Sequence, residues 1–160
     1  MKTKAKEIIS FFVPGIPMTA GSKTPRRSKK SGKMYAHDSC KGGPAWRASV
    51  QGRALEEVGG GWELWTGPIA LFVEFYLPRP KGHYGTGRNH DELKPSAPMA
   101  HIVKPDTTKM FRAVEDALNK VIWRDDAQIV NQGASKHYGD RPGAMVTVHK
   151  LAAEGGDASQ

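Results

Sequence analysis

Three aspartates in the second half of the chain offer the clearest chemistry: Asp106, and the adjacent pair Asp125 and Asp126 that follows Trp123 and Arg124. Carboxylate oxygens suit a hard dication such as Mg²⁺, which keeps several of its waters and needs few protein ligands. Such a cation lowers the pKa of a bound water, orients a phosphodiester and offsets charge on the leaving oxygen. Carboxylates alone would repel one another and any phosphate. The rest of the chain supplies the counterweight, with 24 Lys and Arg against 16 Asp and Glu and a formal net charge of +8. Each acid also has a plainer reading. Asp106 or Thr107 can cap a helix, Asp125 and Asp126 can be solvated turn residues, and Glu115 and Asp116 can be exposed helix charges pairing with Arg112 or Lys120. Spacing does not decide among these roles.

Other catalytic devices are weak here. No Cys-His or Ser-His-Asp arrangement stands out, and there is no phosphate-binding glycine loop and no H-E-x-x-H. Cys40 is the only cysteine, which excludes an internal disulfide and a cysteine-based zinc site. His83 and His90 lack a tight ligand spacing and read as surface residues. No apolar run is long enough for a membrane span, and residues 1–9 lack the apolar core of a signal peptide, so a cytoplasmic protein is expected. The positive charge is concentrated. Between Gly21 and Lys41 lie Lys23, Arg26, Arg27, Lys29, Lys30, Lys33 and Lys41 against one acid, Asp38. Glycines and serines among them predict a mobile basic loop, suited to a polyanion because phosphate contacts release condensed counterions.

The elements that must position these groups follow from periodicity. Glu7–Val13 alternates as a half-buried strand and ends at Pro14, Gly15 and Pro17. Lys33–Ala36 is a candidate short strand closing a hairpin. Pro44 opens a helix whose stripe is Trp46, Val50, Ala54 and Val58, stopped by the glycines 59–61. Pro68–Leu77 is the clearest strand, with Ile69, Leu71, Val73, Phe75 and Leu77 on one side. Residues 78–100 read as a long loop, with a short strand near Met99–Val103. A helix over 108–120 buries Met110, Val114, Ala117, Leu118 and Val121. Two strands follow, about Gln128–Lys136 and Ala144–Leu151. The expectation is an α+β fold: a single small domain, 1–153, with a mixed β-sheet packed against two main helices and a flexible tail at 154–160.

The segment 104–130 resembles the RusA-type crossover junction endodeoxyribonucleases. Their motif, Lys/Arg-x-Asp-x-Asp-Asn-Leu-x-Lys, then Asp-Ala-Leu, then Trp-x-Asp-Asp-x-Gln-Val/Ile, is matched by Lys104-Pro-Asp106-Thr-Thr108-Lys-Met-Phe-Arg112, Asp116-Ala-Leu118 and Trp123-Arg-Asp125-Asp126-Ala-Gln128-Ile129. Pro14 and Pro17 after the first strand fit more loosely. The resemblance implies a RusA-like fold and a homodimer with two active sites. It also implies Mg²⁺ or Mn²⁺ as cofactor and paired nicks in branched DNA such as four-way (Holliday) junctions, in a bacterial or prophage setting. It makes Asp106 and Asp126 metal-binding catalytic carboxylates and Asp125 an adjacent ligand. Arg112, Lys104 and Lys109 would sit near the scissile phosphate, and Lys23, Arg26, Arg27, Lys29, Lys30, Lys33 and Lys136 would contact DNA. Two positions depart from the motif: Thr108 stands where it has a second Asp, and Arg112 where it has Lys. Asp125, Asp116 or Glu115 would have to replace the missing carboxylate, Asp125 first. Two other readings stand beside this one: a RusA-like scaffold that binds branched DNA without cutting it, and a basic RNA-binding protein that leaves the acidic motif unexplained.

Overall fold

The computed structural model describes residues 6–21, 23–38 and 40–153; the expected tail, 154–160, lies outside them. Six strands and two helices run in the order β1 (Ile8–Pro14), β2 (Lys23–Arg27), β3 (Met34–Asp38), α1 (Gly43–Val58), β4 (Ile69–Leu77), α2 (Thr107–Leu118), β5 (Ile129–Tyr138) and β6 (Gly143–Lys150). β1, β6, β4 and β5 form one mixed sheet in that spatial order. β6 pairs antiparallel with both β1 and β4, while β4 and β5 are parallel. A parallel pair needs a crossover, and residues 78–128, with α2 inside them, provide it.

The alternation in β1, β4 and β6 is what makes one face of the sheet apolar. Ile9, Phe11 and Val13 join Ile69, Leu71, Val73, Phe75 and Leu77, then Ala144, Val146 and Val148, all buried. α1 covers this face with Trp46, Val50 and Ala54, and α2 with Met110, Ala113, Val114, Ala117 and Leu118. The α+β architecture, with a mixed sheet against two main helices, is the one expected.

Local departures have identifiable causes. The basic segment is not a loop but a separate hairpin, β2 against β3, closed by Ser28 N–H donating to Lys33 O and by Arg27 Nε donating to Gly32 O. Met99–Val103 forms no strand. Its backbone finds no ladder partner and leaves Met99 82% and Ile102 78% exposed. The loop from 78 is nonetheless anchored. Arg79 stacks over the Tyr138 ring and donates to Pro98 O, and His83 and His101 pack against the same ring. His83, expected at the surface, is therefore half-buried in this cluster.

Candidate functional site

The candidate acids flank α2: Asp106 precedes its first turn, and Asp125 and Asp126 follow its last. The C-terminal end is built around Trp123, which is fully buried. Trp123 is fixed by a tight turn after α2 in which Lys120, at φ 62°, donates its backbone N–H to Trp123 O. A left-handed backbone at a non-glycine residue is uncommon and marks a turn held by its surroundings. Trp65 provides that hold: its backbone N–H donates to Ile122 O and its O accepts from Arg124 N–H. The N–H of a buried indole usually finds an acceptor. Trp123 Nε1 donates to Asp126 Oδ1 at 2.8 Å, and Asn119 Nδ2 donates to Asp126 Oδ2 at 3.1 Å. Both oxygens of the Asp126 carboxylate are thus oriented from beneath.

The neighbouring acid has a different role. Asp125 Oδ1 accepts from Ala127 N–H, and Gln128 Oε1 accepts from Asp125 N–H, a reciprocal cap on the short 3-10 turn 126–128. Gln128 Nε2 reaches across to Trp65 O and Gly67 O and ties the turn to the start of β4. Asp125, the first choice to replace the missing carboxylate, is therefore engaged in shaping the turn. Glu115 is better placed. It lies four residues before Asn119, on the same face of α2. Burial first, then the negative charge of Asp126, pushes its carboxyl pKa up, with Asp116 adding to the rise and Arg112 opposing it. Asn119 Oδ1 is buried with no partner. An orphaned oxygen beside two mutually repelling carboxylates is a donor set that fits a hard cation.

Asp106 lies at the other end. It is the N-cap residue of α2, yet its side chain makes no capping bond. Its carboxylate is exposed and pairs loosely with Lys109, at 3.4 Å. Thr108 is exposed two residues further on. The approach to Asp106 is held by Lys136, whose Nζ donates to Val103 O at 2.7 Å and to Pro105 O at 2.9 Å. Lys136 thus positions the loop rather than presenting its ammonium to a ligand. α2 has 12 residues, so about 18 Å of helix rise separates the Asp106 end from the Asp126 end. Two ligands of one Mg²⁺ lie roughly 4–5 Å apart, given metal–oxygen bonds near 2.1 Å. A single chain does not bring Asp106 and Asp126 together, and no group of three or more His, Cys, Asp or Glu converges among the described residues.

The expected cations divide by position. Arg26, Arg27, Lys29, Lys30 and Lys33 are exposed on the hairpin, which Lys23 begins. Lys104 is exposed just before Asp106. Lys109 and Arg112 stand one turn apart on α2, along a cleft that it forms with α1. Sequence reasoning missed Asn119, Trp123 and Gln128 as the parts that aim Asp126 and hold its turn. The available signal was a tryptophan three residues from an acid at the end of an apolar helix, where a buried indole needs an acceptor.

Fold and site together describe a small α+β domain of strongly positive charge with acids at both ends of its central helix. The chain matches the Endodeoxyribonuclease RusA family over residues 14–149 and belongs to it. It is also 30% identical over 149 residues to the Bacillus subtilis (strain 168) protein named "Uncharacterized protein YqaN", covering 92% of this chain and 99% of that one. Family membership assigns the broad activity, endonucleolytic action on DNA. No helix among the described residues is long and apolar enough to cross a membrane.

Proposed function

We propose that the protein is a Mg²⁺- or Mn²⁺-dependent endonuclease that nicks four-way and other branched DNA, with each active site assembled from two copies of the chain. The observation that carries this reading is the separation of Asp106 from Asp126 by the length of α2, alongside a sheet edge that can close the gap. β5 is the outermost strand of the four-stranded sheet. It runs opposite to α2, with Ile129 following the Asp126 turn and Lys136 bonded to the backbone just before Asp106. An unpaired edge is a template for another strand. A two-fold axis near Gly133 and Ala134, the middle of β5, lays a second β5 antiparallel on the first and sets two α2 helices head to tail. The Asp106 end of one copy then meets the Asp126 end of the other. Val130, 64% exposed, falls near Ile102 and Val103 of the second copy, 78% and 56% exposed, so the pairing also covers apolar surface.

In this site Asp106 of one copy and Asp126 of the other would hold the cation. Glu115 beside Asp126 takes the place of the carboxylate that Thr108 lacks. When bound, the cation activates a water for attack on the phosphodiester and stabilises the leaving oxygen. Trp123 and Asn119 fix the Asp126 carboxylate, so no reorganisation is needed as charge develops. Lys109 offsets the charge of Asp106, and Arg112 can grip a phosphate with two parallel N–H donors.

A second reading, a branched-DNA binder without cleavage, rests on Thr108 alone. One gel separates the two: purified protein with a synthetic four-way junction and Mg²⁺ or Mn²⁺, with and without EDTA. Cutting that requires metal and disappears in Asp126→Asn, while junction binding persists, is the expected result. A junction that is retarded but uncut under every metal condition would establish the second reading instead. Cutting by Asp126→Asn at the wild-type rate would remove the proposed site.

A further inference from the structure

Between α1 and α2 lies a cleft of about 740 Å³ whose walls include Arg47, Gln51, Lys109, Arg112 and Asp116. Among the described residues of its walls, three are cations and one is a carboxylate. The cleft also takes in the start of α1, at Pro44, Arg47 and Ala48. That helix start carries no side-chain cap and no acid in its first turn, so the first turn of the 16-residue helix supplies nothing that offsets its positive end. Two independent sources of positive potential therefore converge on one concave surface. Such a surface concentrates field lines and favours an anion.

The position of the cleft suggests which phosphates it would take. Lys109 forms part of its wall and lies 3.4 Å from the Asp106 carboxylate. Ala20 and Gly21 form part of the rim, which is fixed to α2 by Ala20 N–H donating to Lys109 O at 3.0 Å. Two residues further on, the basic hairpin begins at Lys23. A backbone lying in the cleft would thus run from the carboxylate at the start of α2 toward the root of the hairpin. We propose that the α1–α2 cleft is a phosphodiester-backbone subsite, in which Arg47 with Arg112 and Lys109 grips the nucleic-acid strand next to the position that is cut. This rests on the nuclease reading above and adds to it a positioning residue, Arg47, from a helix that the acidic motif does not include.

The test uses the full-length chain and a fluorescently labelled four-way junction in EDTA, so that binding is read without cleavage. Anisotropy titrations over a range of NaCl concentrations give the slope of log affinity against log salt. Each phosphate contact contributes about 0.9 to that slope on duplex DNA. Arg47→Ala is expected to weaken binding several-fold at low salt and to reduce the slope by about one contact's worth, and Arg47→Lys to restore the slope. Circular dichroism of both variants should match the wild type. If the wild type binds while Arg47→Ala leaves affinity and slope unchanged, the subsite is overturned and the nuclease reading stands. A weaker affinity with an unchanged slope overturns it too, since Arg47 would then act through packing rather than charge. A wild-type protein that binds neither junction nor duplex overturns both readings.

Discussion

A site split between two chains has a signature that a site within one chain does not: two dead variants can rescue each other. Asp106→Asn and Asp126→Asn each remove one of the proposed carboxylates, and each homodimer carries the same defect in both sites. In a mixed dimer one site collects both substitutions, while the other receives the intact Asp106 of one chain and the intact Asp126 of its partner. Random exchange makes about half of the dimers mixed, each with one good site of two, so the mixture should regain about a quarter of the wild-type nicking capacity. The structural basis is the roughly 18 Å of α2 between the two acids, far more than one cation can bridge. The assay is strand nicking of an end-labelled junction with Mn²⁺, after the two variants are mixed and allowed to exchange. Subunit exchange is checked separately with a tagged copy. Nicking should be favoured over paired cuts, because only one of the two sites works. Full subunit exchange with no recovered nicking would refute the head-to-tail assembly, because a site held within one chain leaves every mixed dimer with two defects.

Three further outcomes follow from individual contacts. Glu115 has its carboxyl pKa raised by burial and by Asp126, so the folded chain holds that proton longer than the unfolded one, and stability falls as pH rises through this window. Glu115→Gln should remove that slope in urea unfolding and leave the fold at least as stable at neutral pH, yet weaken Mn²⁺ binding by about tenfold or more in calorimetry, as loss of a charged ligand predicts; unchanged metal affinity would exclude it as a ligand. Trp123→Phe keeps an aromatic ring in the core but deletes the donor to Asp126 Oδ1, which should cost about 1–3 kcal/mol in urea unfolding and slow cleavage further by freeing the carboxylate; an equally stable, fully active variant would show that the bond is idle. His101, 7% exposed against Tyr138, has its pKa lowered by burial and by Lys136. Its neutral form belongs to the folded state, so stability should be full above about pH 6.5 and fall as the medium is acidified below that value. His101→Phe should flatten the decline, and an identical acid profile for the two proteins would count against it.

Much of the scaffold was legible because short-range physics wrote it into the chain. Strict alternation in Ile69–Leu77 could serve only a strand with one buried face, and the glycines after Val58 and the proline at 44 bracket α1 as they do in the structure. Of the basic hairpin only the second strand is legible, at Lys33–Ala36, because Gly and Ser among like charges read as mobility; cross-strand backbone pairing from Lys23 to Asp38 orders the whole. Met99–Val103 reads as a strand because it is an apolar run, but its backbone has no ladder to join. β5 gives a weak signal of its own, since an edge strand exposed along much of its length has little alternation to show.

The sequence by itself determined that acids sit in a positive chain and which spacings surround them, because residue type and order are local properties. Only the tertiary structure decided what each acid does. Asp125 closes a cap, Asp126 is aimed by an indole and an amide, Glu115 is drawn up beside it, and Asp106 is left at the opposite end of a rigid helix. Those assignments depend on distances between residues far apart in the chain, fixed by how α2 packs on the sheet, and no spacing along a sequence contains them.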